Sequence, residues 1–160
     1  TVNTVAKPES FVQRWLIMPK LLYLMLNCVI YAMHMMGTKT FVNDWGLKPY
    51  EVGYVTSMMC INFFGAIFWS NLADKTNKYK AILIFNTIAF AGFFSLLTPK
   101  IAGLLSGYSL MKKVYTAVVY LIANFFQSAL FPLMDANIIG TLSNNPNFTK
   151  DMFGRQRLFG

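Results

Sequence analysis

Four long apolar segments separated by short polar breaks fill most of this 160-residue chain. They run from Trp15 to Gly37, Val52 to Ser70, Ala81 to Thr98, and Val114 to about Met134. An α-helix rises about 1.5 Å per residue, so about 20 residues cross a hydrocarbon layer of about 30 Å. The third segment stands near the lower limit of that length. Inside lipid the backbone must satisfy its own hydrogen-bonding groups, and for apolar stretches this long the helix does so. The chain is therefore read as an all-α membrane protein.

Composition closes off the alternatives. Hydrophobic residues make up 56% of the chain and charged residues 12%, against about 25% charged in soluble domains, too few to clothe a water-exposed surface. The net charge of +8 does not point to nucleic acid, because the basic residues are dispersed among the connections and form no stripe or recognition module. Cys28 and Cys60 lie inside apolar segments without CxxC spacing, so neither a disulfide framework nor a metal site is expected. Thr1 to Glu9 is polar and the first apolar stretch is long enough to stay as a helix, which argues against a cleaved signal peptide. The run Arg157-Leu-Phe-Gly160 reads as the threshold of a fifth segment beginning near residue 155.

The breaks carry turn chemistry: Asn43-Asp-Trp-Gly-Leu-Lys-Pro49, Asn77-Lys-Tyr-Lys80, Thr98-Pro-Lys100 and Ser143-Asn-Asn-Pro-Asn147. Pro19 is expected in a first helical turn, where its missing N–H does little harm, and Pro132 is expected to kink or unwind the fourth segment. An even number of spans puts Lys7, Arg14, Lys20, Lys75, Lys78, Lys80, Lys150, Arg155 and Arg157 on one side. Lys39, Lys48, Lys100, Lys112 and Lys113 fall on the other. The positive-inside rule then places the amino-terminal segment 1–14 and the 75–80 loop in the cytosol. Asn147-Phe-Thr149, an acceptor triplet for N-glycosylation, would be cytosolic and unused.

Polar residues are rare enough here to mark function. In the first segment Asn27, Tyr31 and His34 recur at intervals of four and three, and are expected on one helical face with Tyr23 and Gly37. Amide, phenol and imidazole can all exchange hydrogen bonds with a small solute, and imidazole is the group able to carry a proton near neutral pH. Asn124, Gln127, Phe131 and Asp135 repeat the pattern in the fourth segment, with Asp135 suited to a structural or gating contact. Asn62 and Gly65 in the second segment, and Asn86 and Gly92 in the third, suit close helix approach and bridging; Asn62 is also a candidate solute contact. Lys39 is expected to snorkel outward.

In the second connection Asp74 stands beside a helix end with Lys75, Lys78 and Lys80, placed to bond amides or a partner base while the lysines reach anionic headgroups. Asp151, Arg155 and Arg157 are available for charge contacts that form in one conformation and break in another. No phosphate-binding glycine loop, HExxH, paired catalytic carboxylates or serine nucleophile motif is present, so neither an enzyme nor a cofactor is expected.

The loop Ser70-Asn-Leu-Ala-Asp-Lys-Thr-Asn-Lys-Tyr-Lys80 resembles the G-x-L-A-D-R-x-G-R-x-x signature between helices two and three of the major facilitator superfamily. Leu72, Ala73, Asp74, Lys75 and Lys78 match in type, while Ser70 and Asn77 stand in place of glycines. Phe131-Pro-Leu-Met-Asp-Ala136 and Asp151-Met-Phe-Gly-Arg-Gln-Arg-Leu-Phe-Gly160 are similar to the P-L-x-D-A and Y-G-x-x-R-x-W-G elements of the branch holding sugar and nucleoside proton symporters. Phe153 and Phe159 replace tyrosine and tryptophan there.

The resemblance implies a twelve-helix fold of two six-helix halves with alternating access, of which four helices and the start of a fifth are read here. It implies a cytosolic gate of Asp74, Lys75 and Lys78, with Arg155 or Arg157 as partners, and a cavity face of Tyr31, His34, Asn124 and Gln127. The expected partners are membrane lipids and a small polar or amphipathic solute. The competing reading is a facilitator-like scaffold or accessory subunit that binds a membrane protein partner and does not transport.

Overall fold

The computed structural model describes residues 17–143. Segment 1–14, the Asn147 triplet, Lys150, Asp151, Arg155, Arg157 and the fifth helix expected near residue 155 lie outside the described residues. Among those described, all regular structure is helical. Helix α1 spans Ile17–Asn43 and α2 spans Pro49–Ser57, and a short 3-10 turn, Met58–Cys60, joins α2 to α3, Ile61–Thr76. Then follow α4, Tyr79–Ser95, the short α5, Pro99–Leu104, and α6 and α7, Ser109–Gln127 and Leu130–Ser143.

Three of the resulting rods are long and apolar enough to cross a membrane: Ile17–Asn43, Pro49–Thr76 and Ser109–Gly140. The apolar helix α4 is shorter, at 17 residues, or about 25 Å. Helix α1 runs past Gly37 to Asn43 because loss of apolar content marks the edge of lipid and not the end of the hydrogen-bond ladder. Likewise α5 lies in what the sequence presents as a plain connection.

Each rod ends where a residue with special backbone chemistry stands. After α1 the chain turns through Gly46, whose φ of 66° suits a residue without a Cβ. Helix α2 starts on Pro49, and the Glu51 carboxylate accepts from the Lys48 N–H at 2.8 Å, closing the first turn. Asn77 ends α3 in the left-handed region, φ 54°, which asparagine tolerates better than most residues. The fourth rod breaks at Ser128 and Ala129. Pro132 sits in the first turn of α7 and has no N–H to give the Ser128 carbonyl, so one rung of the ladder is lost there.

Chain direction alternates, so residues 41–50 and 95–113 gather at one end of the bundle, and residues 17–23, 72–80 and 135–140 at the other. We call these the Trp45 end and the Asp74 end. Phe41, Trp45, Leu47, Val52, Val55, Leu97, Ala102, Val119 and Tyr120 form a buried cluster at the Trp45 end. Trp45 stacks on Tyr115 with ring centroids 5.5 Å apart and donates its indole N–H to the Leu97 carbonyl at 3.1 Å. Between the two ends, α3 and α6 cross so closely at Gly65 that an added Cβ would stand 2.7 Å from the Phe125 carbonyl oxygen and 2.3 Å from Ser128 Oγ. Below that crossing, Trp69 is buried among the rings of Phe85, Phe125 and Phe126.

Candidate functional site

Helix α1 turns one stripe inward: Tyr23, Ile30, Gly37 and Phe41 are buried, with Asn27 and His34 half-buried on the same stripe. Tyr31 lies beside this stripe and is 64% exposed. The spacing that groups Tyr31 with His34 is therefore compatible with quite different surroundings, because the two are offset around the helix by three residues and the packed stripe is narrow. Asn27 turns back on its own helix, donating from Nδ2 to the Tyr23 carbonyl at 3.1 Å.

Opposite His34, helix α6 buries Thr116, Tyr120, Asn124 and Gln127 in an otherwise apolar wall. The Gln127 amide lies against His34 Nε2, with Oε1 at 3.1 Å and Nε2 at 3.0 Å, and the Tyr120 hydroxyl is 3.3 Å from His34 Nδ1. Amide and phenol each offer both a donor and an acceptor. With a proton on Nε2, the imidazole donates to Gln127 Oε1 and Tyr120 donates to Nδ1. With the proton on Nδ1, the ring donates to the Tyr120 oxygen and accepts from Gln127 Nε2. A doubly protonated ring donates to both oxygens. The cluster thus accommodates every protonation state of the imidazole by turning an amide and a hydroxyl, without breaking a contact.

Other buried amides leave acceptors over. Asn124 donates to the Tyr120 carbonyl at 2.8 Å and Asn86 to the Ile82 carbonyl at 2.9 Å. Their Oδ1 atoms, with that of Asn62, are buried without a hydrogen-bond partner among the described residues. A buried acceptor left unmade costs about 1–3 kcal/mol, so these oxygens favour any donor that enters. Asn62 is half-buried on α3 and Asn124 fully buried on α6.

The candidate gating residues at the Asp74 end find phenols as partners, where the sequence reading looked for amides or bases. Asp74 accepts from the Tyr79 hydroxyl at 2.6 Å, across the tight turn between α3 and α4. Asp135 accepts from the Tyr23 hydroxyl, tying α7 to α1. Lys75 and Lys78 are exposed beside the turn. Among the described residues, no group of side chains could hold a metal ion.

Tyr120 escaped the sequence reading, although it lies four and seven residues before Asn124 and Gln127 and so on the same helical face. A search for phenols as well as amides at that spacing would have found it. The ion pair at the Trp45 end, Lys113 Nζ to Glu51 Oε1 at 2.6 Å, has no such local signal, because it joins helices far apart in the chain.

Comparison with known proteins adds one family. A family model described as the MFS_1 like family matches residues 16–160. No curated protein and no solved structure matches the chain.

Proposed function

The chain belongs to the MFS_1 like family and so to the major facilitator superfamily, as an all-α integral membrane protein of transporter type, and from that premise we propose that it moves a small polar or amphipathic solute by alternating access. The observation that carries this reading is the His34–Tyr120–Gln127 cluster joining α1 to α6 inside an apolar interior. Polar groups at this depth are costly unless they serve a pathway or one another. A solute hydroxyl or amide can replace the Gln127 amide or the Tyr120 hydroxyl one for one, which suits uncharged polar solutes of the sugar or nucleoside kind. Ile30 of α1 and Ala123 of α6 form an apolar cluster with Phe90 of α4 and Leu130 of α7, which suits the less polar face of an amphipathic molecule.

In this reading Asn27, Tyr31, Asn62 and Asn124 extend the solute face. Asp74, Lys75, Lys78, Asp135, Arg155 and Arg157 form and break contacts as access alternates, with the amino terminus and the Asp74 end on the cytosolic side. His34 supplies the proton-bearing group for coupling, and the solute passes chemically unchanged.

Uptake by the full protein in proteoliposomes tests this, with radiolabelled hexose and uridine as probes and a pH gradient imposed or withheld. Gln127→Ala is expected to lower uptake roughly tenfold, the loss of one buried hydrogen bond at its upper value, and His34→Ala, which removes contacts to both Gln127 and Tyr120, at least as much. Met35→Ala, on an exposed position of α1, is expected to leave uptake unchanged. Unaltered uptake in both cluster variants overturns the site, and absence of uptake by the unmodified protein favours a scaffold.

A further inference from the structure

At the start of α4, on the Asp74 end, Asn77 and Lys78 of the α3–α4 turn, Lys80 and Ile84 of α4, and Asn137 of α7 line a recess of about 450 Å³. Two features make it attractive to an anion. The lysines supply two positive charges, and among the described residues neither Lys78 nor Lys80 has a carboxylate partner, the ion pair found there being Glu51 with Lys113 at the opposite end. The nearest acid in sequence, Asp74, already accepts from Tyr79. The first turn of the 17-residue α4 also has no side-chain cap, so its amide dipoles add to the positive field over the recess.

A third feature selects the kind of anion. Ala81 and Ile84 belong to the recess and are exposed, and they continue at helical spacing into Ile88, 68% exposed. Basic groups therefore sit at the mouth of an apolar stripe that runs along a membrane helix. A soluble phosphate would use the lysines and leave the stripe idle, whereas a phospholipid uses both.

We propose that this recess is a binding site for the phosphate-bearing headgroup of an anionic phospholipid, whose acyl chain lies along Ala81, Ile84 and Ile88. Lys78 and Lys80 hold the phosphate and carboxylate oxygens of the headgroup, and Asn77 and Asn137 border it. The site is independent of the His34 cluster and does not rest on the transport reading.

The full protein in mixed detergent–lipid micelles, examined by native mass spectrometry, tests the proposal with phosphatidylserine, phosphatidylcholine, glycerol 3-phosphate and inorganic phosphate as probes. Phosphatidylserine is expected to be retained in preference to phosphatidylcholine. The double variant Lys78→Gln, Lys80→Gln is expected to weaken its retention roughly 30-fold, the product of two lysines each acting at a charged membrane surface. Lys75→Gln removes an equal charge from the same loop outside the recess and is expected to weaken retention less than about threefold. Ile84→Glu keeps both lysines, sets a carboxylate in the recess and is expected to lose the preference as well, which gives a second reading should the double variant fail to fold. Equal retention of the two lipids overturns the proposal. So does a loss in Lys75→Gln as large as in the double variant, since that marks diffuse surface attraction. Displacement of the lipid by inorganic phosphate or glycerol 3-phosphate at equal concentration overturns it in favour of a site for soluble anions.

Discussion

At the Trp45 end, buried side chains from six helical and loop segments close around Trp45 and Phe41, whereas at the Asp74 end two carboxylates accept hydrogen bonds from phenols. Apolar packing of the first kind is insensitive to pH and salt and has no second arrangement at similar energy. A hydrogen bond between a phenol and an exposed carboxylate, as from Tyr79 to Asp74, exchanges readily for water or for another donor, so its loss is largely repaid, whereas the buried Tyr23 hydroxyl at Asp135 costs more to lose. The difference teaches that rigidity and readiness to rearrange are allotted to opposite ends of the same four rods, with the His34 cluster between them.

Substitutions can break or sharpen this contrast when melting of the purified full protein is followed in detergent. Trp45→Ala is expected to have the largest effect, about 3–5 kcal/mol, because it empties a fully enclosed site and strands the Leu97 carbonyl. Should it cost no more than a change at the Asp74 end, the contrast fails. Gly65→Ala comes next, at about 3 kcal/mol, since the Cβ would press on the Phe125 backbone carbonyl, which cannot swing aside as a side chain can. Tyr23→Phe is expected to cost about 1.5 kcal/mol by taking the phenol from Asp135. Glu51→Gln should be the mildest: its partner Lys113 is 40% exposed at the side chain, and the small fall in melting temperature is expected to vanish in about 0.5 M salt, where exposed charges are screened.

Several of these elements were legible in the chain and others were not, for physical reasons. Proline, glycine and asparagine act through their own backbone, so Gly46, Pro49, Asn77 and Pro99 mark the rod ends they occupy. Asn77 is instructive. It stands where the superfamily signature has glycine, and its φ of 54° shows it adopting the left-handed conformation that a glycine supplies at such a turn. Gly65 was readable as a point of close approach, though not which helix approaches. Periodicity locates a helical face only to within about one residue's rotation, which separates exposed Tyr31 from half-buried His34. Partners distant in sequence, such as Tyr23 with Asp135 and Glu51 with Lys113, depend on which rods become neighbours. No local pattern encodes that.

The missing rung between the Ser128 carbonyl and Pro132 turns the fourth rod into two stiff lengths with a compliant joint. Gln127, the last residue before the joint, stays with the length anchored under Trp45, while Asp135 travels with the other. Tilting of the far length can then loosen the Tyr23 contact and leave the imidazole's neighbours in register, as a door swings without disturbing its frame.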